Sequence, residues 1–325
     1  MRAVILDKPG GNDALELRDV PVPRLTEGQA LIRVESGGLN WADIQVRQGI
    51  YPHIKDYPFA AGFEIAGTIN ALGAGVRGYS VGERVAAIVF GGGFADFAAA
   101  DASYLMRLPP SVSFDVGAAF PIQALTAYHM LNTLSHIGSG DTVLVHAIGG
   151  GVGLFVTQMA AYAGARVIGT VGTRGKEVLA LEYGASEVVN RADGDFAKAV
   201  LAFTDGRGVD LAIDSLGGAT LDKTFDVVRI LGHVINIGEA EANPYPNLRD
   251  RLIGRSLTFT RFHAGHLDPN SDMWRRGVDY VLQAIADGWL HVPIVERFPL
   301  EQVRRMYERL ESRSVSGKLV LSIGA

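Results

Sequence analysis

The sequence predicts an α/β fold in which a doubly wound parallel sheet domain is combined with a β-barrel-like domain, and three observations carry that prediction. First, the run Val143-Leu144-Val145-His146 breaks at Ala147-Ile148-Gly149-Gly150-Gly151, and a second apolar run from Leu154 to Ala163 follows before Gly164. Second, strand and helix patterns alternate from about residue 140 onward. Third, the segments before about residue 120 are short, alternate in polarity and are bounded by glycine or proline.

Val143 to Val145 has the β-branched, apolar character of a strand buried on both faces. Leu154 to Ala163 is apolar around most of a helical wheel, with Gly164 as its stop. Between them stands Ala147-x-x-Gly150-x-x-Gly153, with Gly149 and Gly151 as extras, which departs from the strict GxGxxG form. Glycines there permit a tight turn, close approach of backbone N–H groups to a pyrophosphate, and close packing of helix on sheet. Alone the pattern is weak evidence, but the strand Arg166 to Val171 follows at once and completes a strand–helix–strand crossover unit. No Asp, Glu, Lys or Arg lies between Asp141 and Arg166, enough length to span a bilayer. The glycines, Thr157, Gln158 and the missing interfacial anchors argue against a span.

Around this run the elements fall in order. Ala30 to Val34 and Glu83 to Ile88 are strands of the first, barrel-like part. Beyond Val171 come a helix over 176–183, a strand over 187–190, a helix over 196–203, a strand over 209–214, a helix over 220–228 and a strand over 232–237. After the proline-broken connection Asn243-Pro244-Tyr245-Pro246 the pattern gives a strand near 257–260, helices near 273–287 and 300–310, and a last strand over 318–323. Such a tail cannot simply extend the sheet, so it is expected to return to the first part. The predicted boundaries are 1–120, 121–260 and 261–325.

At 325 residues, 48% hydrophobic and 20% charged, the chain has the make-up of a globular protein of about two domains. Its net charge of −5 argues against a nucleic-acid surface. The apolar stretch Ala3 to Leu6 is too short for a signal peptide, so the expected home is the cytoplasm. With no cysteine, disulfides, thiol catalysis, iron–sulfur clusters and thiolate zinc are excluded.

Several spaced motifs then line up. They are Gly37-Gly38-Leu39-Asn40-Trp41-Ala42-Asp43, Arg47-Gln48-Gly49-Ile50-Tyr51, Gly62-Phe63-Glu64-Ile65-Ala66-Gly67, Leu125-Thr126-Ala127-Tyr128, the glycine run with Gln158 after it, and Gly317-Lys318-Leu319-Val320-Leu321. In this order they resemble the zinc-free quinone oxidoreductases of the medium-chain dehydrogenase/reductase superfamily, the group of zeta-crystallin, across essentially the whole chain. The resemblance implies a GroES-like catalytic domain built from both chain ends, a Rossmann domain between them, a cleft, a homodimer and NADPH as cofactor.

In the zinc-dependent relatives a cysteine stands at the position of Asn40 and a histidine at that of Phe63, so neither ligand survives. His263 and His266 fall short of the three ligands that catalytic zinc requires, and no metal is expected. His146 reads as a hydrogen-bonded core residue. Tyr51-x-x-x-Lys55 has the spacing of a short-chain dehydrogenase, but Pro52 disfavours the helix that spacing needs. No GxSxG elbow occurs.

Hydride transfer remains, in which a nicotinamide supplies the chemistry and the protein supplies orientation and charge stabilisation. Hydride reaching a quinone or the β-carbon of an enone puts negative charge on oxygen, so a donor must face it. By resemblance Asn40 and Tyr51 line the cleft as those donors, with Asp43 structural. The alternative is an NADPH-binding protein with a structural or regulatory role. Gln45 stands where the family often has an aromatic residue, beside the cofactor. Trp41, Phe94 and Phe262 are candidates for an aromatic wall.

For the cofactor, the acid that grips the ribose in NAD-preferring folds is missing after the second strand. Gly172, Thr173, Arg174, Gly175 and Lys176 stand there, with no acid before Glu177. Arg174 and Lys176 can attract a 2′-phosphate and Thr173 can donate to it. By resemblance Lys176 is the phosphate-binding lysine, Arg313 reaches the same phosphate, and Arg191 replaces a tyrosine beside the adenosine. Thr126, Ala147, Gly150, Gly151, Val152, Gly153, Gly238 and Phe262 complete the expected cofactor contacts.

Overall fold

The computed structural model describes residues 1–241 and 246–324. They form two compact units, one of Met1–Gln123 with Pro269–Ala325 and one of Ala124–Asp268. The first stretch carries β1 (Arg2–Leu6), β2 (Leu15–Asp19), β3 (Gln29–Gly38), α1 (Trp41–Arg47), β4 (Phe59–Ala60), β5 (Glu64–Leu72), β6 (Arg84–Ile88), β7 (Phe97–Asp101), β8 (Leu105–Arg107) and α2 (Phe114–Ala119). In the middle are α3 (Pro121–Tyr128), β9 (Thr142–His146), α4 (Gly151–Tyr162), β10 (Arg166–Val171), α5 (Val178–Glu182), β11 (Glu187–Asn190), α6 (Phe196–Phe203), β12 (Val209–Asp214), α7 (Gly218–Thr224), β13 (Val228–Asn236), α8 (Leu248–Ile253) and β14 (Thr258–Arg261). The chain then adds α9 (Asp272–Ala286), β15 (Ile294–Pro299), α10 (Val303–Glu311) and β16 (Lys318–Ser322) to the first unit.

The middle unit is a six-stranded, wholly parallel sheet in the order β11-β10-β9-β12-β13-β14. Every residue of β9 and β12 is buried, which explains why their sequences are continuous apolar runs rather than alternating ones. The order reverses between β9 and β12, so the crevice beyond the carboxyl ends of those strands is where such a sheet takes a ligand.

In the first unit a seven-stranded sheet runs β15-β16-β3-β5-β6-β8, with β7 also on β3, beside a smaller sheet β2-β1-β4. The tail's return is explicit: Val320 opposes Gly38 and Leu321 opposes Gly37 in an antiparallel β16–β3 ladder. Ile32, Val34, Ile65, Phe94, Tyr307 and Leu321 are fully buried in one core. Phe94 therefore packs inside this core and is not an exposed aromatic wall, because the small residues Gly37 and Gly62 leave room for its ring.

The structure moves several expected boundaries. The helix expected from Leu154 begins at Gly151, since Leu154 N–H already bonds Gly150 C=O at 2.9 Å and the glycines themselves form the first turn. The helix expected over 220–228 is split into α7 and a 3₁₀ turn at Phe225–Val227, and β13 starts at Val228, earlier than Gly232. Residues 176 and 177 lie outside α5, and the stretch 300–310 opens with a 3₁₀ turn at Leu300–Gln302 before α10. The short helices α1, α2 and α8 span too few turns to show a period. Of the proline-broken connection only Pro246 is within the described residues. Among those residues no helix is long and apolar enough to cross a membrane.

Candidate active site

At the end of β9 the chain turns through Ala147, held in the left-handed region at φ 51°, and Gly150 N–H returns to Ala147 C=O at 2.8 Å. Gly150 is the extended N-cap of α4, and no side chain caps it; no acid stands in the first turn. The leading N–H groups of a helix have no partner within it and sit at the positive end of its dipole. Gly153 cannot be replaced without movement: a Cβ there would lie 2.6 Å from Ile148 O and 2.9 Å from Ala147 O. A closely packed, uncapped helix start of this kind fits a dinucleotide's pyrophosphate.

The other cofactor candidates of this unit lie at the same edge of the sheet. Gly172, Thr173 and Arg174 are exposed just past β10, and Lys176 is half-buried. Arg174 donates to Asp193 at 2.8 Å. Asp193, in the turn after β11, thus stands beside Arg174, a pairing the linear sequence does not reveal. Arg191, one residue past β11, is half-buried and donates from Nη1 to Thr170 Oγ1 at 3.0 Å. Its Nη2 lies 3.0 Å from where a Cβ on Gly172 would stand, so a glycine there leaves room for the guanidinium. Burial lowers its pKa from the ordinary value, while Glu241 and Asp214 act in the opposite direction.

Gly238 follows β13, its carbonyl held by Asn236 Nδ2 at 2.9 Å, and Phe262 follows β14 as a buried ring. Thr126 is buried on α3. Val152 is half-buried in the first turn of α4. His146 is buried with hydrogen bonds at both ring nitrogens, and burial pushes its pKa down to about 3, so it is a neutral core residue.

The substrate-side candidates Asn40 and Tyr51 belong to the first unit. Asn40 is 4% exposed and precedes α1. Its Nδ2 donates to Glu64 Oε1 at 2.8 Å, and its Oδ1 accepts from Lys318 Nζ at 2.8 Å and Gln123 Nε2 at 3.1 Å. Lys318 and Glu64 form a salt bridge with both side chains wholly buried, and Glu64 Oε2 also accepts Ile122 N–H at 2.9 Å. Asn40 is therefore a junction in an internal polar network. The Asp43 carboxylate accepts Asn40 N–H at 2.8 Å, and burial pushes its pKa up to about 7 against the opposing pull of that bond and of Lys318.

Tyr51 is half-buried on the loop after α1, its N–H bonded to Gln45 C=O at 3.2 Å. Its ring packs on Phe63 with centroids 5.8 Å apart and edge-on to His53 at 5.6 Å. Burial, and secondarily Asp43, raises its pKa, which keeps the hydroxyl a donor. The stretch 51–55 is not helical, so the Tyr51–Lys55 spacing has no helix behind it. Gln45 is half-buried on α1; Arg313 is exposed just beyond α10, at φ 56°. Trp41 begins α1 and is 36% exposed.

The residues that sequence reasoning missed are Glu64, Gln123 and Lys318. Glu64 and Lys318 stood inside quoted motifs as lone charges among apolar residues, a pattern that calls for a partner.

Two family models match the chain, the alcohol dehydrogenase GroES-like domain over residues 26–110 and the zinc-binding dehydrogenase model over residues 151–286. The chain is 31% identical to a quinone oxidoreductase of Pongo abelii, covering 99% of this chain and 97% of that one. It is 32% identical to a 2-haloacrylate reductase of Burkholderia, covering 98% of each. The solved Escherichia coli quinone oxidoreductase complexed with NADPH superposes with a TM-score of 0.94 at 29% identity, covering 99% of this chain and 100% of that one. Likeness along nearly the whole length, joined to a GroES-like unit and a wholly parallel Rossmann sheet, establishes that the chain belongs to the zinc-free quinone oxidoreductases of the medium-chain dehydrogenase/reductase superfamily.

Proposed function

We propose that the protein is an NADPH-dependent reductase that delivers hydride to a quinone or to the β-carbon of an α,β-unsaturated carbonyl. The observation that carries this reading is the uncapped glycine start of α4 at the same sheet edge as the cations Lys176, Arg174 and Arg191. The NADPH bound by the Escherichia coli relative supports it. The bound nicotinamide supplies the hydride. The protein's own share is to hold the pyrophosphate with Gly150, Gly151, Val152 and Gly153, and to hold the 2′-phosphate with Thr173, Arg174, Lys176, Arg191 and Arg313. Tyr51 donates to the acceptor's developing oxyanion, and Asn40 fixes the start of the helix that leads to it. A panel of quinones and enones with NADPH tests the activity; tight NADPH binding without turnover of any member would defeat it.

Preference for NADPH over NADH is expected in kcat/KM. Because Asp193 already partners Arg174, Arg174→Ala should reduce the preference least. Lys176→Ala and Arg191→Ala should each reduce it by about 10-fold or more, the worth of one hydrogen bond to a charged group. Added salt should weaken the preference, since the contacts are ionic. Equal wild-type efficiency with both cofactors would show the phosphate site to be misplaced.

We further propose a homodimer. β14 has β13 on one side and no strand on the other among the described residues, so its edge is open to a second copy. Sedimentation should return twice the 34.7 kDa chain mass, and a monomer at micromolar concentration would reject the proposal.

A further inference from the structure

We propose that Thr170 and His146 are positioning residues that aim Arg191 at the cofactor's adenosine phosphate and so set the preference for NADPH. This rests on the reading of Arg191 as a phosphate ligand.

Thr170 of β10 and His146 of β9 stand opposite each other in the parallel ladder. Arg191 can only donate, so Thr170 Oγ1 accepts from it at 3.0 Å. Because Thr224 Oγ1 gives its one hydrogen to Thr220 C=O at 2.7 Å, His146 Nε2 donates to Thr224 at 2.8 Å, and Nδ1 of the neutral ring is left to accept the Thr170 hydrogen at 2.8 Å. Each link thus has a single direction, running from the guanidinium through β10 and β9 to α7. Phe196 meets the imidazole edge to face at 5.0 Å and fixes its plane, and threonine is stiff at χ1.

The chemical point is that this anchor is uncharged. Elsewhere in the unit arginines are held by carboxylates: Arg166 by Glu187, Arg174 by Asp193, Arg229 by Asp210 and Arg251 by Asp222. Among the described residues Arg191 makes no such pair. A carboxylate would orient the guanidinium equally well but would cancel its charge and repel a phosphate. A hydroxyl backed by a neutral histidine orients it and leaves the charge for the ligand.

The test is the ratio of kcat/KM for NADPH to that for NADH, which a general loss of folded enzyme does not move. Thr170→Val and His146→Leu should each lower the ratio about 5-fold through KM for NADPH, as expected for one neutral orienting hydrogen bond. Thr170→Ser should retain it. In an Arg191→Ala background Thr170→Val should have no further effect. Should His146→Leu fail to fold, the near-isosteric Thr170→Val decides alone. The proposal is overturned if Thr170→Val keeps the wild-type ratio, lowers both efficiencies equally, or still lowers the ratio without Arg191. Arg191→Ala with an unchanged ratio would instead overturn the assignment of Arg191 to the phosphate.

Discussion

Lys318→Met should destabilise the first unit by about 3–5 kcal/mol, the cost of removing one partner from a buried ion pair. The side chains of Lys318 and Glu64 are both 0% exposed, so the variant leaves a carboxylate inside the protein with Asn40 and the Ile122 N–H as its remaining donors among the described residues. Asn40 Oδ1 also loses one of its two donors. The second substitution Glu64→Gln should restore most of the loss, because the uncompensated charge disappears; that non-additivity separates charge burial from lost packing. All three tryptophans, Trp41, Trp274 and Trp289, belong to the first unit, so urea unfolding followed by tryptophan fluorescence reports on it directly. A loss below about 1 kcal/mol would mean that water or a moved side chain replaces the ammonium.

Tyr51→Phe should slow the hydride-transfer step about 100-fold and leave NADPH affinity unchanged. Loss of one preorganised donor to a developing oxyanion costs about 3 kcal/mol in comparable sites. The phenylalanine ring can keep the contact with Phe63, so only the hydroxyl is removed. Because burial raises the pKa of Tyr51 above its usual value of 10, the group stays protonated through neutral pH, and the defect should be constant there. Single-turnover stopped-flow at saturating NADPH measures the step; an unchanged rate would confine Tyr51 to packing.

The centre of the parallel sheet was legible because β9, β10 and β12 are buried on both faces, and their apolar runs can be read without knowing their neighbours. The boundaries of β12 and α6 are those the pattern predicts. Asn40 shows the opposite case. A sequence marks it as a polar residue among apolar ones, but its use depends on Glu64, Gln123 and Lys318, which arrive from distant points of the chain. Asp193 was hidden for the same reason: it approaches Arg174 only because β10 and β11 are adjacent in the sheet.

The return of β16 to β3 also shapes how the chain can be made. Lys318 and Asn40 are 278 residues apart and must meet in one buried network. On the ribosome, β3 emerges long before the strand that will lie against it, while every strand of the parallel sheet is available once residue 261 is out. The middle unit can therefore finish folding during synthesis, whereas the first waits with an open sheet edge and a carboxylate lacking its cation. Contacts so distant in sequence slow folding through the entropy of closing the loop. The first unit is accordingly the one that needs protection from aggregation until synthesis has passed β16.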